Sequence, residues 1–333
     1  MVSSRKSRRL EKLKQRKTSV ETKDSTVERV VEVKKETFKQ TQGNFFLRIY
    51  ENQYKKLLII PIILLILAFV VLGMNLATTG EFMNKGVTLK GGITLTIPTN
   101  EYVDVLGLES FLVKEFPNGD MNVRELSEFG TQLGIIIEIS DVSEKDLLTA
   151  TKSYIGDFGE DYSLETIGPS LGDSFFRQTM IAILLAFIFM GLVVFGYFKT
   201  FVPSGAVILA AFSDIIVTLA IVDLMGMKVG TAGIAAFLML IGYSVDTDIL
   251  LSTRVLKKKE GSLMSRIYGA MRTGFTMSVT TIVAVSVALI ISDSEIISQI
   301  MTILLIGLFV DLIYTWILNA GILRYYLEKK RQT

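Results

Sequence analysis

Apolar residues in this chain gather into six blocks, at about 57–76, 179–198, 203–223, 229–251, 274–292 and 296–320. Each is near or above the roughly 20 residues a helix needs to cross a bilayer. Among open structures, only a helix pairs all its backbone donors and acceptors within one segment in hydrocarbon. The pattern predicts an α-helical polytopic membrane protein with six transmembrane helices. Its organisation reads as a tail at 1–44, a first membrane helix within 45–76, a domain at 77–178, a five-helix bundle at 179–323 and a short tail at 324–333.

The period changes between the first two blocks. Val87-Thr88-Leu89-Lys90-Gly91-Gly92-Ile93-Thr94-Leu95-Thr96-Ile97-Pro98 is β-rich, with a kink at its glycine pair and a stop at Pro98. Residues 101–116 carry apolar positions at helical spacing. Met121 to Ser127 and Leu133 to Ile139 read as strands, the second a buried one because Ile135, Ile136 and Ile137 follow one another. Ser143 caps a helix running to about Tyr154, and Tyr162 to Ile167 is a last strand. The order β-α-β-β-α-β is that of a small α+β, ferredoxin-like domain. Such a fold hosts many functions and proves none.

Charge orients the helices. Arg5, Lys6, Arg8, Arg9, Lys12, Lys14, Arg16 and Lys17 precede the first block, Lys257, Lys258 and Lys259 follow the fourth, and Lys329, Lys330 and Arg331 follow the sixth. With Lys199, all fall on one side, which the positive-inside rule makes cytoplasmic. Both termini are then inside and the 77–178 domain is extracytoplasmic. The first 44 residues mix charged and hydroxyl residues with few large apolar ones, the composition of a disordered basic tail. Net charge is only +2, so no overall basic field points to nucleic acid.

The chain has no His and no Cys. Thiolate chemistry, the usual zinc sites, histidine-ligated haem and a Ser-His-Asp triad are therefore excluded, and neither a cofactor nor a metal site is predicted. Four acids lie inside the apolar blocks, away from their ends: Asp214 in the third, Asp246 and Asp248 in the fourth and Asp311 in the sixth. A charge at the bilayer centre costs at least about 2.5–3.5 kcal/mol, so each is a functional-site candidate. Arg272, at the start of the fifth block, either offsets them or snorkels to the interface. Ser278, Thr280 and Thr281 reach about the depth of the fourth-block acids and complete a polar layer.

At helical spacing Asp246 and Asp248 point about 200° apart, so they cannot share a face. Asp246 is the stronger ion-path candidate on sequence alone, because Gly242 one turn away leaves room for water or a partner. Asp214 with Asp246 could instead form an intramembrane aspartyl protease dyad. Neither a Gly-x-Gly-Asp context nor a Tyr-Asp partner motif accompanies them, and the chain is not read as an enzyme.

Several stretches together resemble the SecF family, membrane subunits of the SecD–SecF accessory complex in the resistance-nodulation-division superfamily. They are Leu89-Lys90-Gly91-Gly92-Ile93-Thr94, Ile167-Gly168-Pro169-Ser170-Leu171-Gly172, Ser213-Asp214-Ile215-Ile216-Val217-Thr218-Leu219 and Gly242-Tyr243-Ser244-Val245-Asp246-Thr247-Asp248. Arg272-Thr273 and Ser278-Val279-Thr280-Thr281 match as well, and the resemblance spans about residues 45 to 325. It implies a multi-pass plasma-membrane subunit that assists protein export beside the Sec translocon channel. Its implied partners are a SecD-like subunit, the translocating polypeptide and the bilayer, and its implied drive is an ion gradient, commonly of protons. A non-transducing scaffold that stabilises the SecD-like partner is the other role open to it. The resemblance gives the ion path to Asp246 or Asp248, with Asp214 and Arg272. Bacterial members usually carry Asn-Asp-Thr where Asp246-Thr247-Asp248 stands, so the family carboxylate falls on Thr247. Ser213 stands for a frequent His and Asp311 for a frequent Gly, departures that are similar to the archaeal branch.

Overall fold

The computed structural model describes residues 50–332, apart from 100, 118, 129–130, 258–259 and 293. The predicted tail at 1–44 lies outside the described residues. Contacts divide the chain into Met1–Leu57 and Leu58–Thr333. Of the first unit the described part carries a helical turn at Tyr54–Leu57.

The second unit opens with α1 (Ile59–Thr79), which ends on Gly80 in the left-handed conformation at φ 77°. A four-stranded antiparallel sheet with two helices then precedes the remaining bundle: β1 (Gly92–Pro98), α2 (Val105–Glu115), β2 (Met121–Glu128), β3 (Thr131–Ile139), α3 (Glu144–Ile155) and β4 (Ser163–Ile167). The strand order β2-β3-β1-β4 puts the most apolar strand, β3, between β1 and β2. Leu95 opposes Ile137, and Ile97 opposes Ile135. All four are fully buried together with Leu108 and Leu112 of α2 and Leu147 of α3, which makes one compact core. Ser143 accepts the Asp146 backbone N–H at 3.3 Å, capping α3 as its sequence position requires.

The stretch from Val87 was expected to be extended throughout. Its first residues, Val87–Lys90, instead form a helical turn, and the strand begins at Gly92. The cause is tertiary: the Gly86 N–H donates to the Val229 carbonyl at 2.9 Å, the Val229 N–H donates to the Asn84 carbonyl at 2.7 Å, and Leu89 is buried in the bundle core. The segment is pinned to the chain around Val229 before the sheet can begin.

The bundle continues with α4 (Pro169–Phe198), α5 (Phe201–Leu224), α6 (Thr231–Lys257), α7 (Leu263–Ile291), α8 (Glu295–Ile313), a π-helical stretch at Tyr314–Asn319 and α9 (Ala320–Gln332). Among the described residues, six helical segments are long and apolar enough to cross a membrane. Two begin well before their apolar blocks, because the start is set by local chemistry rather than hydropathy. Pro169 opens α4 at a position where its missing N–H is no loss, and Ser262 caps α7 by accepting the Ser265 N–H at 3.2 Å. α5 and α6 form the buried centre, while α1, α4 and α7 expose most of their surfaces.

The interposed domain is tied to the bundle by polar contacts around residues 228–231. Asp120 pairs with Lys228 at 2.6 Å and with Lys90 at 3.2 Å. Partial burial pushes the Asp120 carboxyl up, but the two ammonium groups outweigh it and hold it below the ordinary aspartate range. Thr88 accepts the Thr231 N–H at 3.0 Å and Gln299 accepts the Gly233 N–H at 3.0 Å, so both satisfy donors in the first turn of α6.

Candidate functional site

Three helices bring three carboxylates into the middle of the bundle. Asp214 on α5 and Asp248 on α6 are fully buried, and Asp311 on α8 is 1% exposed. The helices meet closely one turn away: Gly307 of α8 has no side chain, and Leu240 of α6 occupies the space where one would lie. Four residues on from these two come Asp311 and Ser244, which places the polar residues of both helices at the same level.

Hydroxyls and one amide stitch the acids together. Ser244 donates a short hydrogen bond to Asp214 Oδ2. Thr315 donates to Asp311 Oδ1 at 3.0 Å, and Thr247 lies 3.2 Å from Asp311 Oδ2 and 3.3 Å from the Thr315 hydroxyl. Asn319 donates its amide to Asp248 Oδ1 at 2.7 Å. Thr247 carries one proton, yet the Ser244 carbonyl at 2.9 Å and both Asp311 oxygens compete for it. An Asp311 carboxyl holding a proton could donate in return. Asp214 Oδ1, Asp248 Oδ2 and Asn319 Oδ1 are buried with no hydrogen-bond partner.

The π-helical stretch is part of this construction. It begins at Tyr314, just after Asp311, and supplies Thr315 and Asn319 to the cluster, while the Tyr314 hydroxyl donates to the Pro61 carbonyl of α1 at 2.8 Å. An i→i+5 stretch widens the helix locally, a feature concentrated at functional sites.

Other sequence candidates lie elsewhere. Asp246 is exposed on the opposite side of α6, and so is Gly242 one turn away, with nothing within 4 Å of where its side chain would be. Arg272 is exposed on α7. Ser278 is buried, and its hydroxyl has no partner. Thr280 and Thr281 return their hydroxyls to their own helix, Thr280 to Thr276 at 3.0 Å and Met277 at 2.8 Å, Thr281 to Met277 at 3.1 Å. The protease pairing of Asp214 with Asp246 is not formed, since one is inside the bundle and the other on its surface.

Four residues of the cluster were not singled out for a site from sequence: Ser244, Thr247, Thr315 and Asn319. A signal for them exists. Asp311, Thr315 and Asn319 recur at four-residue steps in an apolar run, and so do Ser244, Asp248 and Ser252. A polar stripe in a membrane helix marks the side that faces other helices. Among the described residues, no group of three or more acidic, His or Cys side chains is placed to hold a metal ion.

Comparison with known proteins follows the same lines. Residues 148–329 match the family model described as protein export membrane protein SecD/SecF, C-terminal. The chain is 40% identical over 287 residues to the protein-export membrane protein SecF of Methanocaldococcus jannaschii, covering 84% of this chain and 98% of that protein. To the SecF of Pyrococcus furiosus it is 37% identical over 283 residues, covering 84% and 93%. Its fold is similar to the crystal structure of SecDF, a translocon-associated membrane protein, from Thermus thermophilus, with a TM-score of 0.67 at 19% identity over 83% of this chain. It spans 38% of that longer chain. With a family model over more than half its length and near full-length relatives above 30% identity, the chain belongs to the SecF family of protein-export membrane proteins.

Proposed function

We propose that this chain is the SecF-type subunit of a SecD–SecF complex in the cell membrane. It works there beside the Sec channel, and a proton gradient acting on the Asp214–Asp248–Asp311 cluster helps draw translocating polypeptides outward. The observation that supports the reading is the burial of three carboxylates on three helices with, among the described residues, no cationic side chain bonded to them. Three bare anions there would each carry the penalty of an unpaired buried charge, so the cluster holds protons. Loading and unloading them changes what Ser244, Thr247, Thr315 and Asn319 can bond. Moving one charge across 100 mV releases about 2.3 kcal/mol, enough to bias two packings of α5, α6 and α8 that differ by little.

The test is reporter export in sealed vesicles, with and without an imposed pH gradient, using the complex of this chain and its SecD-type subunit. Stimulation by the gradient is expected, along with its loss on collapse by a protonophore. Export that is equally fast without any gradient, at unchanged abundance, would leave the chain a scaffold for its partner and overturn the proton reading.

The orientation belongs to the same proposal. Lys199, Lys257, Lys329 and Lys330 flank bundle ends away from the interposed domain, so both termini are taken as cytoplasmic and the domain as extracytoplasmic. The chain lacks Cys, so single cysteines can be introduced without background. A cysteine replacing exposed Tyr102 is expected to react with an impermeant thiol reagent in intact cells, and one replacing Glu260 only after the membrane is opened. Labelling of both from one side would refute the arrangement.

A further inference from the structure

Where the interposed domain joins the bundle, three chain segments enclose a cavity of about 550 Å³. They are 90–93 at the start of β1, 166–169 at the passage from β4 into α4, and 140–144 at the turn from β3 into α3. The size falls within the range of clefts that hold ligands. None of the lining residues belongs to the acid cluster of the bundle.

The lining combines apolar surface with negative charge. Ile93, Val142, Ile167 and Pro169 supply the apolar part, and Asp141 and Glu144, both solvent-exposed, bring two carboxylates. One cation, Lys90, is also present, but its ammonium already pairs with Asp120 at 3.2 Å. Among the described residues Asp141 has no ion pair, and Glu144 accepts a neutral hydroxyl, that of Thr166, at 2.6 Å. The N-terminus of α3 offers roughly half a positive charge, which Glu144 and Asp146 in its first turn outweigh. The cavity therefore sets uncompensated negative charge beside apolar walls.

Lysine and arginine side chains carry the complementary pair of features. Their aliphatic stems lie along apolar surface while the cationic head reaches a carboxylate. An extended polypeptide points successive side chains to opposite sides, so one such residue can enter while its neighbours stay outside. On the orientation proposed above, the cavity opens on the side where exported chains emerge.

We infer that this cavity holds a Lys or Arg side chain of the translocating polypeptide, its stem against Ile93 and Val142 and its cationic head at Asp141 and Glu144. The inference rests on the proposed export role and adds a contact site on this chain and the residue class it takes. Because both connections between domain and bundle line the cavity, a polypeptide held there pulls on the bundle as well as on the domain.

The test uses the complex of this chain and its SecD-type subunit in sealed vesicles, with a reporter stalled partway through export. A photo-cross-linking amino acid at Val142 is expected to give a product with the reporter, and one at exposed Ser110 of α2 to give none. Replacing the lysines and arginines of the stalled segment by glutamine, which leaves the complex untouched, should lower the Val142 yield about fivefold, the change produced by about 1 kcal/mol. Asp141→Asn combined with Glu144→Gln should lower it as much for the unaltered reporter. Asparagine suits the left-handed backbone of Asp141, at φ 61°, so the turn is kept. A Val142 product with the SecD-type subunit in place of the reporter, equal products from Val142 and Ser110, no reporter product while the reporter is stalled, or a yield indifferent to both sets of substitutions would each overturn the site. Reporter export that is unchanged when this chain is removed would instead overturn the export role on which the site depends.

Discussion

Asp248→Asn and Asp311→Asn are each expected to abolish the gradient-dependent part of export while leaving the complex assembled in normal amount. Asparagine keeps the volume of the side chain, so core packing is preserved. It cannot take up and release a proton, so the buried position stays in one state throughout. The Asn319 amide still has an oxygen to bond at position 248, and the Thr315 hydroxyl still has one at position 311. The effect is large because the drive is lost rather than reduced: about 2.3 kcal/mol per charge across 100 mV corresponds to a roughly fiftyfold bias between two states. Asp246→Asn should behave differently, keeping the response to the gradient, because Asp246 is exposed on the side of α6 away from the cluster. The measurement is vesicle export at several imposed gradients, with subunit abundance determined in the same vesicles. Full stimulation in both Asp248→Asn and Asp311→Asn at normal abundance would reduce the cluster to a structural network.

The second large effect is expected at the root of the interposed domain. A methyl group at Gly172, in the first turn of α4, would lie 2.5 Å from the Gly91 backbone nitrogen and 2.8 Å from the Lys90 carbonyl carbon. Those are backbone atoms and cannot swing aside. Gly91 is held from both sides, since its own missing side chain faces the Pro169 Cα at 2.6 Å and its φ of 89° disfavours any other residue. Gly172→Ala should therefore push the start of β1 away from α4, at a cost of about 1–3 kcal/mol, the range of overpacked cores. Gly168→Ala, where nothing lies within 4 Å, is the matched control. Thermal unfolding of the detergent-purified protein should show a lower transition for Gly172→Ala and little change for Gly168→Ala. Equal transitions would mean that the contact yields more easily than its geometry implies.

These positions also show why two glycine-bearing motifs stand about 80 residues apart in the sequence. Gly91-Gly92 reads there only as a kink in a strand, and Gly168-Pro169-Ser170-Leu171-Gly172 only as a helix start. Each is the counterpart of the other. Neither can reveal this alone, because the requirement for a missing side chain comes from the opposing backbone.

The six helices and the β-α-β-β-α-β domain were legible because local physics decides them. A hydrocarbon-length apolar block has no alternative to a helix, and a run such as Ile135-Ile136-Ile137 beside alternating strands fits the middle of a small sheet. Which of two neighbouring aspartates enters the bundle was not decided this way. The presence of Gly242 drew attention to Asp246, whereas the folded chain buries Asp248 with Asn319 and turns Asp246 outward. Stripes such as Ser244-Asp248-Ser252 and Asp311-Thr315-Asn319 carried the phase, but they are short against the surrounding apolar residues. The reason is physical: lipid and the interior of a membrane bundle are about equally apolar, so a membrane helix lacks the contrast between faces that orients a helix in water. The sequence by itself determined how many helices cross and which of them carry charge. Only the tertiary structure, through the close passage of α8 over α6 at Gly307, decided that Asp214, Asp248 and Asp311 meet while Asp246 does not.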